Sequence, residues 1–266
     1  MERIGIIGGT GLISIDLDRD YTDTLSEYHL EITRTDEVTV ETKYGQVPLK
    51  CISMSHGGKP KELIFLQRHH NNGESNKPPH MINHKANITA LIDAGCDVII
   101  SVCSIGSLAK DLPPGKVALA GQYIDFSGIA TSFNDQFAVF TSVTEPFSNV
   151  LNEKLESVLR TTQNFTSDEK MYYTYWLAQG PHFETRAEVD AIDKLGGEMV
   201  GMTMPREVKL ANEMEVPYCA ICISSNWAAG REPGDPSAKL SHELVSSKAN
   251  DRLNPVMQCI FSVLAN

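Results

Sequence analysis

Arg68 and His69 close the apolar run Leu63–Gln67, and an arginine there presents a planar fork of donors that fits a phosphate oxyanion. Gly8-Gly9-Thr10-Gly11 directly follows another apolar run, Arg3–Ile7. Glycines admit close backbone approach to an anion, and the Thr10 hydroxyl adds a donor. The segment lacks both GxGxxG spacing and the GK[ST] ending of a P-loop, which argues against a dinucleotide or a nucleoside triphosphate. Ser104, Gly106 and Ser107 form a small-residue turn after Asp97–Val102, at the carboxyl end of a strand where open α/β sheets bind ligands. Phe183 and Glu184 stand just before Thr185, a helix cap. Thr203 follows Val200-Gly201-Met202 at a helix start, a ready place for an anion. Asn226 ends the run Tyr218–Ser224 and can offer both a donor and an acceptor to a planar heterocycle. Taken singly, each feature has a plain structural use: a tight turn, a surface ion pair, an aromatic staple beside a carboxylate, a turn asparagine.

The elements that must position these residues follow from apolar pattern and stop signals. Glu37–Ser53 alternates and turns at Tyr44-Gly45, so a hairpin is expected. Lys85–Ala94 reads as a helix stopped by Gly95. Asp97–Val102 is continuously apolar, as a strand covered on both faces should be. Val117–Ala120, Lys170–Ala178 and Met199–Met202 read as further strands. Helices are expected over Asn149–Thr161, from the capping box Thr185-Arg186-Ala187-Glu188 to Gly196-Gly197, over Pro205–Met214, and from His242 to Leu264. Strands separated by helices give an α/β fold: one domain over residues 1–266, with a central mixed, largely parallel sheet flanked by helices. Asn71–Pro79 is polar and reads as a mobile surface loop.

Lys+Arg number 23 against 34 Asp+Glu, a net charge of −11, which disfavours nucleic acid as a partner because phosphate-backbone affinity rests on basic residues. No stretch approaches the roughly 18 to 20 apolar residues of a membrane span. The start Met1–Leu12 reads as the first strand rather than a signal peptide, so a cytoplasmic location and no membrane partner are expected. Six cysteines are scattered. Cys219 and Cys222 have redox or zinc spacing, but they lie in an apolar run where neighbours three apart face opposite sides of a sheet, and buried thiols are the expectation.

The order of these segments along nearly the whole chain resembles the trimeric purine nucleoside phosphorylase and methylthioadenosine phosphorylase family. The matching motifs are Gly8–Leu12, Arg68-His69, Ser104–Ser107, Gly180–Glu188, Val200–Thr203 with Glu207, Asn226, and the Pro79–Ile88 stretch. The resemblance implies phosphorolysis: inorganic phosphate displaces a purine from C1′ of a nucleoside, with no metal or cofactor. It also implies a phosphate cradle of Thr10, Arg68, His69, Ser104 and Thr203, with Met202 against the ribose and Phe183 against the purine. Catalytic roles fall to Asn226, Glu184 and His69, with Trp227 and Ala228 beside Asn226. Three positions depart from the pattern: Cys103 replaces Thr or Asn, His84 replaces a common Tyr, and the proline before Glu207 has moved to Pro205.

Three finer expectations rest on the same resemblance. The family closes its site with an aromatic from a neighbouring subunit, which points to Phe140 and to a homotrimer or dimer of trimers. Glu184 can accept from the N1–H of a 6-oxopurine, and Asn226 can donate to O6 or N7, which favours inosine and guanosine over adenosine. His242, at the start of the last helix, is placed to meet a 5′-hydroxyl; a methylthioinosine or methylthioadenosine phosphorylase is the second reading. A non-catalytic nucleoside- or anion-binding module is the alternative of another class.

Overall fold

A computed structural model of the chain describes residues 1–71, 76–240 and 252–266. Nine strands form one sheet: β1 (Arg3–Gly8), β2 (Leu30–Thr42), β3 (Gly45–His56), β4 (Lys59–Gln67), β5 (Val98–Ser107), β6 (Val117–Ile124), β7 (Tyr172–Leu177), β8 (Met199–Gly201) and β9 (Tyr218–Trp227). Their order is β2-β3-β4-β1-β5-β8-β7-β6-β9, and β9 also pairs with β5, so the last five close into a ring. The helices among the described residues are α1 (Leu17–Asp20), α2 (Thr22–Glu27), α3 (His84–Asp93), α4 (Asn149–Thr162), α5 (Arg186–Lys194), α6 (Met204–Glu213) and α7 (Leu253–Leu264).

β5 organises the whole. One edge pairs in parallel with β9 from Ile99 to Ser107. The other edge pairs with β1 only as far as Ile7↔Ser101, and with β8 only from Gly106↔Val200. Between Ser101 and Gly106 that edge has changed neighbours, and the chain ends of β1, β4 and β8 surround the gap. Such strand-end splits are where α/β sheets make ligand crevices. Its alternating side chains feed two cores. Val98, Ile100 and Val102 join α4 and α7 on one face, while Ile99, Cys103 and Ile105 join α3 and α6 on the other.

The expected hairpin is present as β2–β3, with Thr42 opposite Gly45. The expected stop after α3 is present too: Ala94 caps the helix and Gly95 takes φ +75°. Cys219 and Cys222 are both buried and belong to opposite cores, as their spacing requires, and all six cysteines are free thiols. Two expectations need correction. Ser104–Ser107 is not a turn: β5 continues through it, because β9 and then β8 pair with it. Likewise β9 runs on to Trp227, so Asn226 is a strand residue opposite Gly106 across a bulge. The expected last helix is seen from Leu253 onward, and His242 lies outside the described residues. No helix among the described residues is long and apolar enough to cross a membrane.

The capping box at α5 forms in full. The Thr185 hydroxyl accepts from the Glu188 amide at 3.2 Å, and the Glu188 carboxylate accepts from the Thr185 amide at 2.7 Å. α5 carries the backbone that presents Phe183 and Glu184. Thr185→Ala is expected to lower stability by about 1 kcal/mol, read as a lower denaturant midpoint at unchanged slope.

Candidate active site

A cleft of about 440 Å³ opens at the β5 gap, lined by nine residues singled out from the sequence: Thr10, Arg68, His69, Ser104, Phe183, Glu184, Met202, Thr203 and Asn226. Strand ends and helix starts bring them there from every part of the chain. Trp227 and Ala228 do not line it. Ala228 is buried with Leu108, Val189, Ile192 and Val200, because the bulge in β9 turns it into that small core behind the wall. Phe140 is 94% exposed and also outside the cleft of its own chain. A hollow of about 550 Å³ between α2 and the β2–β3 edge, around His29 and Gly57, is remote from all of these residues.

Arg68 is buried and held by several partners. It is 3% exposed, and Glu207, in the first turn of α6, is 1% exposed. Its Nε donates to Glu207 Oε1 at 2.7 Å, and Nη2 donates to Glu207 Oε2 at 3.3 Å and to Ser101 Oγ at 2.6 Å. Nη1 donates to the Val102 carbonyl at 2.9 Å, which lies in the gap of β5. Glu207 also accepts from Ser101 Oγ at 2.9 Å and from Tyr218 Oη at 2.8 Å. Burial works to raise the Glu207 carboxyl, but the Arg68 charge, His84 and these hydrogen bonds carry it below its ordinary value. The pair is therefore ionised and internally neutral. Of the five guanidinium N–H groups, one on Nη1 remains for the cleft.

The glycine-rich turn is shaped by these side chains. A Cβ on Gly9 would stand 2.1 Å from Arg68 Nη1, and one on Gly11 would stand 2.6 Å from Ser104 Oγ. Both glycines are needed so that the turn can lie on the guanidinium and the serine, carrying Thr10 to the cleft wall. On the far side, Asn226 Oδ1 accepts from Ser225 Oγ at 2.9 Å and Nδ2 donates to the Trp227 carbonyl at 2.7 Å. One amide N–H of Asn226 and one lone pair remain for a ligand. Gly106 permits this: a Cβ there would meet Asn226 Nδ2 at 3.3 Å. Glu184 is half-buried, and burial raises its carboxyl above the ordinary value, with the Glu188 charge acting in the same direction. A carboxyl so perturbed in a cleft is a mark of a functional site. His69 Nδ1 bonds the Lys77 carbonyl at 2.9 Å, and the Lys77 amide donates to the His69 carbonyl at 2.8 Å. Asn76–Pro79, expected in a surface loop, thus folds against the cleft and lines it.

Sequence reasoning left Glu207, Ser101 and Tyr218 out of the site. The register of Glu207 was the only signal, since its partner lies 139 residues away. His84 belongs to the same cluster: it is 7% exposed, its Nδ1 is 3.9 Å from Glu207 Oε1, and neither ring nitrogen has a hydrogen-bond partner among the described residues. Burial pushes its imidazole down to about 4; Glu207 pulls the other way without offsetting this, and the Arg206 and Arg68 charges add to the lowering. His84 is neutral when folded near pH 6, whereas an unfolded histidine takes up a proton below about 6.5. Stability from this group is therefore full above about 6.5 and falls as pH drops towards 4, by on the order of 3 kcal/mol in all. His84→Leu is expected to flatten this stretch of the stability curve, measured by urea melts from pH 4 to 7; an unaltered slope would contradict it.

Comparison with known proteins agrees with this geometry. Residues 3–258 match the family model described as the phosphorylase superfamily. A probable 6-oxopurine nucleoside phosphorylase from Thermococcus kodakarensis is 37% identical, over 94% of this chain and 89% of its own. A probable S-methyl-5′-thioinosine phosphorylase from Methanothermobacter thermautotrophicus is 32% identical, over 94% of this chain and 81% of its own. Among solved structures, the methylthioadenosine phosphorylase from Schistosoma mansoni in complex with adenine shares the fold, with a TM-score of 0.79 at 22% identity over 100% of this chain and 91% of that one. Motifs that stand far apart in sequence meet in one cleft, and similarity runs from the first strand into the last helix: the chain belongs to the phosphorylase superfamily.

Proposed function

We propose that the protein is a purine nucleoside phosphorylase that takes 6-oxopurine nucleosides, inosine and guanosine, with inorganic phosphate as co-substrate and no metal or cofactor. The observation that carries the reading is the make-up of the cleft wall: Thr10, Arg68, His69, Ser104 and Thr203 bring donors, and Phe183, Glu184 and Asn226 bring an aromatic face, an acceptor and an amide to the same cleft. In this reading phosphate oxygen bonds to C1′ as the C1′–N9 bond breaks, and the electron pair leaves with the purine. The free N–H of Asn226 meets the charge that develops at N7, and Glu184 accepts from N1–H. Held donors aimed at developing charge are the largest electrostatic aid such a site can give. The relatives named for 6-oxopurine nucleosides support this choice of base, and the one named for methylthioinosine keeps a 5′-methylthio nucleoside as the second reading.

Glu184 is a far stronger acceptor when ionised, and its carboxyl titrates above the ordinary value of 4.5. The kcat/KM for inosine is thus expected to fall on the acid side at a pH above that of a free glutamate. Glu184→Gln should remove this acid limb and lower turnover of inosine by about 10²-fold or more, with adenosine affected far less. The measurement is base release from inosine, guanosine, adenosine, methylthioinosine and methylthioadenosine, each with and without phosphate. Release without phosphate, or equal activity on adenosine, would overturn the reading.

The same proposal includes assembly. Phe137, Val139 and Phe140 project from a segment without regular structure, at 77%, 56% and 94% exposure, and a second copy of the chain would cover them. Sedimentation is expected to give a homotrimer or a dimer of trimers, and Phe140→Ala to raise the nucleoside KM. A fully active monomer would refute the assembly.

A further inference from the structure

The charges around the cleft leave one cation unspent. Arg68 is neutralised by Glu207 at 2.7 Å, and Glu184 adds a carboxyl to the cleft wall. The chain as a whole carries −11, so its general field opposes a phosphate dianion. Among the described residues that line the cleft, Lys77 is the remaining full positive charge. Its backbone is fixed on both sides: its amide and carbonyl bond His69, and Pro78 leads into the short helical turn Pro79–Met81. No hydrogen bond or ion pair holds its ammonium among the described residues, unlike Lys85 with Asp135, Lys116 with Glu169 or Lys209 with Asp125. Arg206 is also short of partners, with Nε and Nη2 buried and unbonded, but it does not line the cleft.

We propose that Lys77 is a phosphate-binding residue, whose ammonium supplies the net positive charge that the Arg68–Glu207 pair cannot. The division of labour is physical. Arg68, locked by its partners, contributes a directed N–H and a fixed position. Lys77 contributes charge on a flexible stem, and a compact ammonium can follow an oxyanion as it moves towards C1′. The backbone pairing with His69 puts that stem beside the donors already assigned to phosphate. The proposal rests on the phosphorolytic reading and adds to it a residue outside the motifs that suggested that reading.

Two measurements on the full chain test it. In initial-rate assays of inosine with phosphate varied, Lys77→Met is expected to raise the phosphate KM by about tenfold or more while the inosine KM stays within about twofold, and Lys77→Arg to restore most of the loss. Calorimetry with inorganic phosphate alone reads the same charge without turnover, and Lys77→Met should weaken binding by a similar factor. An unchanged phosphate KM and unchanged phosphate binding would overturn the role of Lys77, as would a parallel rise in both KM values that Lys77→Arg does not rescue. If the unaltered protein binds phosphate but releases no base, the phosphorolytic reading fails, and the calorimetric comparison still decides the role of Lys77.

Discussion

The ion pair between Arg68 and Glu207 sits where β5 exchanges one neighbour for another, and the site is assembled around it. Two buried charges are costly to desolvate, and their attraction offsets that cost only when geometry is good and the remaining hydrogen-bonding capacity is met. Here it is met by Ser101, Val102 and Tyr218. Ser101 and Val102 belong to β5 and Tyr218 to β9, while Arg68 directly follows β4 and Glu207 lies in α6, so one interaction ties the end of β4 to the first turn of α6 across the sheet. Removing one member alone would strand the other charge in the core.

The pair also dictates what may stand near it. Gly9 has no side chain because the guanidinium fills that space, and Gly11 has none because Ser104 does. The glycine-rich turn is suited to an anion less by its own freedom than by what it is laid upon. His84 is the least settled member. Two buried nitrogens have no hydrogen-bond partner among the described residues, and Nδ1 lies 3.9 Å from a carboxylate; the ring is neutral because a proton would have to be taken up against burial and the Arg206 and Arg68 charges.

Much of this was legible in the sequence. The apolar runs and stop signals locate most strands and helices, and the Thr185 box locates the loop that carries Phe183 and Glu184. Local signals end there. The extension of β5 through Ser104–Ser107 and of β9 through Asn226 depends on cross-strand pairing, and small polar residues at strand ends look like turns when read alone. The partner of Arg68 is 139 residues distant, and no spacing rule reaches that far. Asn71–Pro79 misled for a related reason: its composition is that of a surface loop, but its backbone bonds to His69 draw Asn76–Pro79 onto the cleft.

Neutralising Arg68 has a consequence for selectivity. An arginine whose charge is cancelled by Glu207 acts through direction rather than field: it rewards an oxygen in one place and offers little at a distance. In the proposed reading net positive charge comes from Lys77, and close-range discrimination from the hydroxyls of Thr10, Ser104 and Thr203 and from Glu184 with Asn226. Glu184, raised by burial, in that reading favours a ligand that brings an N–H donor and penalises one that brings a lone pair. The same burial that strengthens the Arg68–Glu207 attraction would, in the proposed reading, make a mismatched base costly at Glu184, because a low dielectric penalises an unmet partner at both groups.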